Sequence, residues 1–178
     1  MKTHYQETKF SSPWSFKEKL IIFTWELSWL LFCKWTPKNF NLFRLQFLKI
    51  FGAKIYGNPF VHQRAEIYYP WNVCLHDKSC IGDRAVLYAW NKIEINEESL
   101  VAQESYLCTA SHDFNNDWIL ISDPIIIGKK TFIGARTFIL PGVKVGDNVI
   151  IGACSVVTKD VPDNTTAVGN PAKVRLNY

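Results

Sequence analysis

The stretch IGKKTFIGARTFILPGVKVGDNVIIGACSVVTKDVP, residues 127–162, decides the fold. An aliphatic residue returns at every sixth position: Ile127, Ile133, Ile139, Val145, Ile151 and Val157. Glycine follows it at Gly128, Gly134, Gly146 and Gly152. Four positions after each aliphatic residue stands a small or β-branched one: Thr131, Thr137, Val143, Val149, Ser155 and Val161. A period of six fits neither an α-helix nor the alternation of an ordinary strand. It fits a short strand and a corner, repeated, with the aliphatic and the small residue turned inward: a hexapeptide β-helix. Glycine at the corner is expected to supply a backbone conformation that costs other residues energy.

Upstream, the same period holds with Val61, Ile67 and Val73 in phase. The phase then slips by two residues to Leu75, Ile81, Leu87 and Ile93, and again to Ile95, Val101 and Leu107. Twenty residues separate Leu107 from Ile127, enough for one repeat and an inserted loop at about 113–124. Long excursions from a rigid scaffold are where function concentrates. If three hexapeptides close one triangular coil and the slips fall at corners, three outward stacks follow. One is Cys80, Leu100, Phe132 and Ile150; a second is Val86, Tyr106, Phe138 and Val156; the third is Lys92, His112, Lys144 and Pro162. Two apolar outer stripes need covering, by other subunits or by the N-terminal segment.

Residues 1–54 differ from the rest. They carry nine Lys/Arg and three Asp/Glu, a surplus of +6, while residues 55–178 carry −2. Residues 1–14 are polar, and His4 lies among them. Ser15 and Glu18 have capping-box spacing for a helix that ends near Trp35, before Pro37. A second helix is expected from Asn41 as N-cap to Gly52, with Leu42, Leu45, Leu48 and Phe51 on its buried face and Arg44 elsewhere. The apolar run Leu20–Phe32 is shorter than the roughly 18 residues of a membrane span. Two readings stay open: the helices cap the solenoid, or residues 15–51 lie on an anionic inner membrane face with Trp25, Trp29 and Trp35 at headgroup depth. The five cysteines contain no CxxC pair, and no secretory cleavage signal stands out, so a cytoplasmic protein is expected. The predicted organisation is a helical segment, 1–54, and a repeat domain, 55–178. Nucleic acid is not an expected partner.

The stretch PIIIGKKTFIGARTFILPGVKVGDNVIIGACSVVTKDVPDNTTAVGNPAKV resembles the end of the hexapeptide-repeat acyltransferases, most of all the polysaccharide O-acetyltransferases of colanic-acid type. YLCTASHD, residues 106–113, is similar to the segment in which that family keeps its catalytic histidine. The resemblance implies a mainly β fold, a left-handed parallel β-helix with N-terminal helices, and a homotrimer that uses acetyl-CoA as co-substrate. It implies His112 as general base. It carries the cofactor-binding positions onto Ala135 and Ala153, beside the pantetheine arm, onto Thr158 and Lys159 in VVTKDVP, and onto Lys173 and Arg175 after GNPA, near the nucleotide phosphates. An earlier coil of related sugar acetyltransferases holds the acceptor hydroxyl, which points loosely to Trp90 and Asn91 in LYAWNK. The implied reaction is O-acetylation of a sugar hydroxyl in a surface polysaccharide or its lipid-linked precursor. A free sugar, an amino sugar or an antibiotic is the alternative acceptor, and a non-catalytic membrane-surface scaffold the alternative class.

Taken alone, a single imidazole is more often structural than catalytic; it becomes a base only where it meets a hydroxyl. Asp113 follows His112 directly, and neighbours on a strand point apart. A zinc enzyme on the same repeat would need three converging histidines, and only His62, His76 and His112 are available. They lack the close pair such a site uses, so no metal is expected.

Overall fold

The computed structural model describes residues 12–115 and 118–176. Residues 1–11, His4 included, lie outside the described residues. Ser15 caps the first helix as its spacing requires: its hydroxyl accepts the Glu18 N–H at 3.3 Å, and the Glu18 carboxylate accepts the Ser15 N–H at 2.8 Å. Helix α1, Phe16–Ser28, runs on through a π-helical turn, Trp29–Cys33. Helix α2 is Asn41–Ile50. Nineteen short strands follow among the described residues, numbered in chain order.

Most of these strands stack as parallel ladders on three faces. The first face holds β1 (Lys54–Ile55), β4 (Val73–Leu75), β7 (Ile93–Ile95), β12 (Ile125–Ile127) and β15 (Lys144–Val145). The second holds β2 (Phe60–Val61), β5 (Cys80–Ile81), β8 (Leu100–Val101), β13 (Phe132–Ile133), β16 (Ile150–Ile151) and β18 (Thr165–Val168). The strand β19 (Lys173–Leu176) closes that face by antiparallel pairing. The third holds β3 (Glu66–Tyr68), β6 (Val86–Tyr88), β9 (Tyr106–Cys108), β14 (Phe138–Ile139) and β17 (Val156–Val157). This is a parallel β-solenoid with two N-terminal helices. The in-phase aliphatics from Val61 to Val157 are all buried, nearly all fully.

The small inward residues do more than fill space. Ser105 and Thr131 donate their hydroxyls to the carbonyls of Gly134 (2.9 Å) and Gly146 (2.7 Å) in the coil above. An interior polar group is thereby satisfied at each coil, which is why Ser and Thr are tolerated there. The glycines correct an expectation. Gly128, Gly134, Gly146 and Gly152 do not carry the left-handed backbone; that falls two residues on, at Lys130, Arg136, Asn148 and Cys154. The glycines are required by close stacking instead. A Cβ on Gly134 would stand 2.6 Å from the Ala153 nitrogen and the Ile151 oxygen.

The phase slips also have a different origin from the one assumed. On the first face β4, β7 and β12 are three residues long, and both ends of each point inward: Val73 and Leu75, Ile93 and Ile95, Ile125 and Ile127 are all buried. Each slip is therefore the width of that face, not a corner. Register partners stand twenty residues apart in the early coils (Phe60↔Cys80↔Leu100) and eighteen after the insertion (Phe132↔Ile150). The first two outward stacks form as expected. The third does not. The outward column is Lys54, Cys74, Glu94, Ile126 and Lys144; Lys92 precedes it by two residues, and His112 leaves the solenoid altogether.

The N-terminal helices pack on the first coils through Trp25, Trp29, Cys33, Leu45 and Leu48, which join the solenoid interior in one core. Trp25 donates its indole N–H to the Ile67 carbonyl at 2.7 Å. Trp25 and Trp29 are thus buried against protein, so of the three tryptophans only Trp35 faces outward. Arg44, expected off the buried face, is fully buried while Leu42 is exposed. Its guanidinium donates to the carbonyls of Val61 (2.9 Å), Pro37 (2.9 Å) and Lys38 (3.0 Å) and to the Thr36 hydroxyl (2.8 Å). Asn41 does not cap α2 either; its amide bridges the Pro59 carbonyl and the Val61 N–H. Both polar side chains are spent on fastening helix to solenoid.

Candidate active site

After β9 the chain does not turn the next corner. It rises as an antiparallel hairpin, β10 (Ala110–Asp113) and β11 (Ile119–Ser122), and re-enters at β12. The inserted segment thus begins earlier than the sequence suggested and is partly regular. Its root is tied at several points. Asn91 donates its amide to the Ser122 carbonyl at 3.0 Å and accepts the Lys92 N–H at 2.7 Å. Thr109 accepts the Asn91 N–H at 2.9 Å and donates to the Tyr88 carbonyl at 2.9 Å. The carbonyl of Thr109 takes the Asp123 N–H at 3.0 Å. Near the tip Phe114 and Trp118 pack edge to face at 4.8 Å.

His112 stands exposed on β10. Its Nδ1 lies 2.7 Å from the Trp118 carbonyl oxygen. A carbonyl can only accept, so Nδ1 carries a proton, and in the neutral ring the lone pair lies on Nε2. The contact fixes the tautomer and the orientation of the ring, so that Nε2 is the nitrogen through which it can act as a base. Asp113 does not reach the imidazole; its carboxylate accepts the Asn115 N–H at 2.9 Å. The orienting group is a backbone carbonyl, which no residue type announces in a sequence.

A model of the bacterial transferase hexapeptide, six repeats, matches residues 124–159. The Escherichia coli K12 protein WcaF, named for an acetyltransferase role in colanic acid biosynthesis, is 39% identical over 141 residues, covering 79% of this chain and 78% of WcaF. The crystal structure of a maltose O-acetyltransferase from Clostridium difficile 630 superposes with a TM-score of 0.75 at 30% identity, covering 91% of each chain. A galactoside acetyltransferase solved with coenzyme A superposes at 0.73, with 26% identity over 88% of this chain and 80% of that one.

The chain belongs to the bacterial hexapeptide-repeat acetyltransferases.

Within that family's scaffold the remaining candidate residues fall on three separate parts of the solenoid. Ala135 and Ala153 lie one above the other at the corner between the second and third faces, joined by the Cys154 N–H to Ala135 carbonyl bond of 2.9 Å. Thr158 and Lys159 are exposed just after β17, at the corner between the third and first faces, in the column from which the hairpin rises. Lys173 and Arg175 alternate along β19, opposite Val168 and Thr166. One chain does not bring the set to one point.

The two acceptor candidates both have partners within the chain. Asn91 spends its amide on the hairpin root. Trp90 packs against Trp14 (4.6 Å) and Tyr69 (5.5 Å) instead of presenting an open ring. An aromatic column that sequence reasoning reached only through its outward stack lines the third face. Tyr106 lies flat on Phe138 at 4.9 Å, and burial pushes its phenol up to about 12. Burial likewise raises the Cys108 thiol, which donates to the Ala110 carbonyl at 3.2 Å. A thiol held protonated is a poor nucleophile. His62, His76 and His112 do not form a common metal-ligand group among the described residues.

Proposed function

We propose that this acetyltransferase moves the acetyl group of acetyl-CoA directly to a sugar hydroxyl of a surface polysaccharide or its lipid-linked precursor. The observation that carries it is the Trp118 carbonyl on His112 Nδ1, which leaves Nε2 as the acceptor. The acceptor oxygen attacks the thioester carbon while its proton passes to Nε2. The carbon–sulfur bond breaks, and the departing CoA thiolate takes that proton. No acyl-enzyme is needed, in keeping with the half-buried Cys108 near the hairpin root, whose thiol is pushed up by burial. The sugar class is supported by the maltose and galactoside enzymes, and the polysaccharide by the similarity to WcaF. The test is His112→Ala assayed for thioester turnover with an oligosaccharide panel. The expected loss is about a hundredfold or more, with the unfolding midpoint unchanged. A fully active variant overturns the assignment.

The reading includes a trimer. Ala135 and Ala153 sit at one end of the third face and Thr158 and Lys159 at the other, an arrangement that suits a cofactor lying between two subunits and meeting one set from each. Phe132 and Ile150 on the second face are 43% and 49% exposed in the single chain, an apolar stripe that a neighbouring copy would cover. Light scattering at micromolar concentration is expected to give three chains; one chain refutes the arrangement.

Residues 15–51 would hold the enzyme at an anionic membrane face. No helix among the described residues is long and apolar enough to cross a membrane. The outer side of α1 and its π-turn nonetheless exposes Phe16, Leu20, Phe23, Leu31, Phe32 and Trp35, with Lys17, Lys19 and Lys34 exposed on the same segment. Apolar burial and basic charge together favour lying in the interface.

A further inference from the structure

The first face brings together a ligand set that the search for three histidines passes over. Parallel pairing puts Cys74 on β4 opposite Glu94 on β7. Both side chains belong to the outward column, where paired neighbours stand about 4.8 Å apart. His76, two residues beyond Cys74, continues the ladder with its N–H on the Ile95 carbonyl at 3.0 Å. Its side chain therefore returns to the same side of the sheet. The Cys74 sulfur lies 3.5 Å from His76 Nε2, and that nitrogen lies 3.0 Å from Glu94 Oε1. All three ligand atoms fall within 4.8 Å of one another.

We propose that Cys74, His76 and Glu94 form a binding site for a divalent cation of the zinc class. Zinc takes thiolate, imidazole and carboxylate at distances whose tetrahedral edges come to about 3.5 Å. The two separations from His76 Nε2, 3.5 and 3.0 Å, lie near such edges, and the sulfur and the carboxylate oxygen fall within 4.8 Å of each other. The surrounding groups are arranged as a metal site requires. His76 Nδ1, the nitrogen turned away from the cluster, lies 3.7 Å from Glu97 Oε1, the carboxylate–histidine arrangement that fixes the tautomer of a ligating ring. Tyr56 stacks on the imidazole at 4.9 Å and restrains its rotation. Lys92 pairs with the other Glu94 oxygen, Oε2, at 2.6 Å and so leaves Oε1 to the cluster. Cys74 is buried, while His76 and Glu94 are half-buried, which leaves a solvent side for a fourth ligand. Binding would release the thiol proton of Cys74. The ion would tie β4 to β7 in the coils below the hairpin, and it takes no part in the acetyl transfer proposed above.

The test is titration of chelator-stripped, full-length protein with cobalt(II), followed by displacement with zinc(II). One equivalent per chain is expected, with the near-ultraviolet absorption of a thiolate–cobalt bond. Cys74→Ser should abolish that absorption. His76→Ala should weaken cobalt binding at least about tenfold, and Glu97→Gln, which meets the ring only at its far nitrogen and otherwise pairs with Lys129, by about tenfold as well. Cys154→Ser, which removes an exposed thiol far along the chain, should change nothing. Absence of the thiolate–cobalt band in the unaltered protein overturns the proposal whatever the variants do. So does a band that survives Cys74→Ser, or one that vanishes with Cys154→Ser.

Discussion

The coils from Ile125 to Val161 and the helices from Phe16 to Ile50 are both rich in apolar residues, yet they use them in opposite ways. In the coils nearly every in-phase aliphatic is sealed by the strand above and the strand below. In the helices few large side chains reach the core; Phe16 stays 82% exposed and Trp35 78%. A coil position is decided by its neighbours six and about eighteen residues away, all of the same kind. A helix position depends on which side happens to meet the first coils. Repetition makes burial predictable, and a single docking does not.

Breaking a coil should cost most. Ile133→Ala removes a fully buried side chain between β8 and β16, where stacked backbones cannot close the gap. A loss of about 4 kcal/mol is expected by chemical denaturation, and a value under about 1 kcal/mol would mean that the coil relaxes as freely as a surface helix. The next largest effect tests the joint between the two regions. Arg44→Ala strands the carbonyls of Val61, Pro37 and Lys38, so about 3 kcal/mol should be lost. Arg44→Lys should recover only part of it, because an ammonium lacks the planar fork. Full recovery would show that charge alone holds the joint. The smallest effect on stability should come from the double change Phe16→Ser, Phe23→Ser, within about 0.5 kcal/mol since both are exposed. The same protein should lose salt-sensitive flotation with anionic vesicles. Flotation that is absent from the unaltered chain at low salt, or undiminished in the variant, would reduce the helices to a cover for the coils.

Much of the scaffold was legible because its rule is local and repeated. Ile127, Ile133 and Ile139 announce three inward positions, and the Ser15–Glu18 spacing announces a cap that forms as written. His112 was singled out by resemblance, not by its surroundings. The group that orients it, the Trp118 carbonyl, is invisible to sequence because every residue type carries one. The two-residue slips were read as corners because period alone cannot distinguish a turn from a wider face, and that misplaced Lys92 and His112 in one column. That Asn91 ties the hairpin root and Trp90 packs on the Trp14 ring is equally invisible in LYAWNK, because both partners lie far along the chain.

By itself the sequence determined the repeat, the inward residues, the existence of one insertion before Ile127 and the two helices. Each of these follows from spacing along the chain, and spacing needs no knowledge of what lies opposite. Only the tertiary structure decided that the glycines serve close stacking, that Arg44 goes inside, that the insertion folds as a hairpin whose Trp118 carbonyl holds His112 by Nδ1, and that Cys74, His76 and Glu94 meet. Those outcomes depend on contacts between segments eighteen or more residues apart or on backbone groups common to all residues. They appear once the coils are laid one upon another.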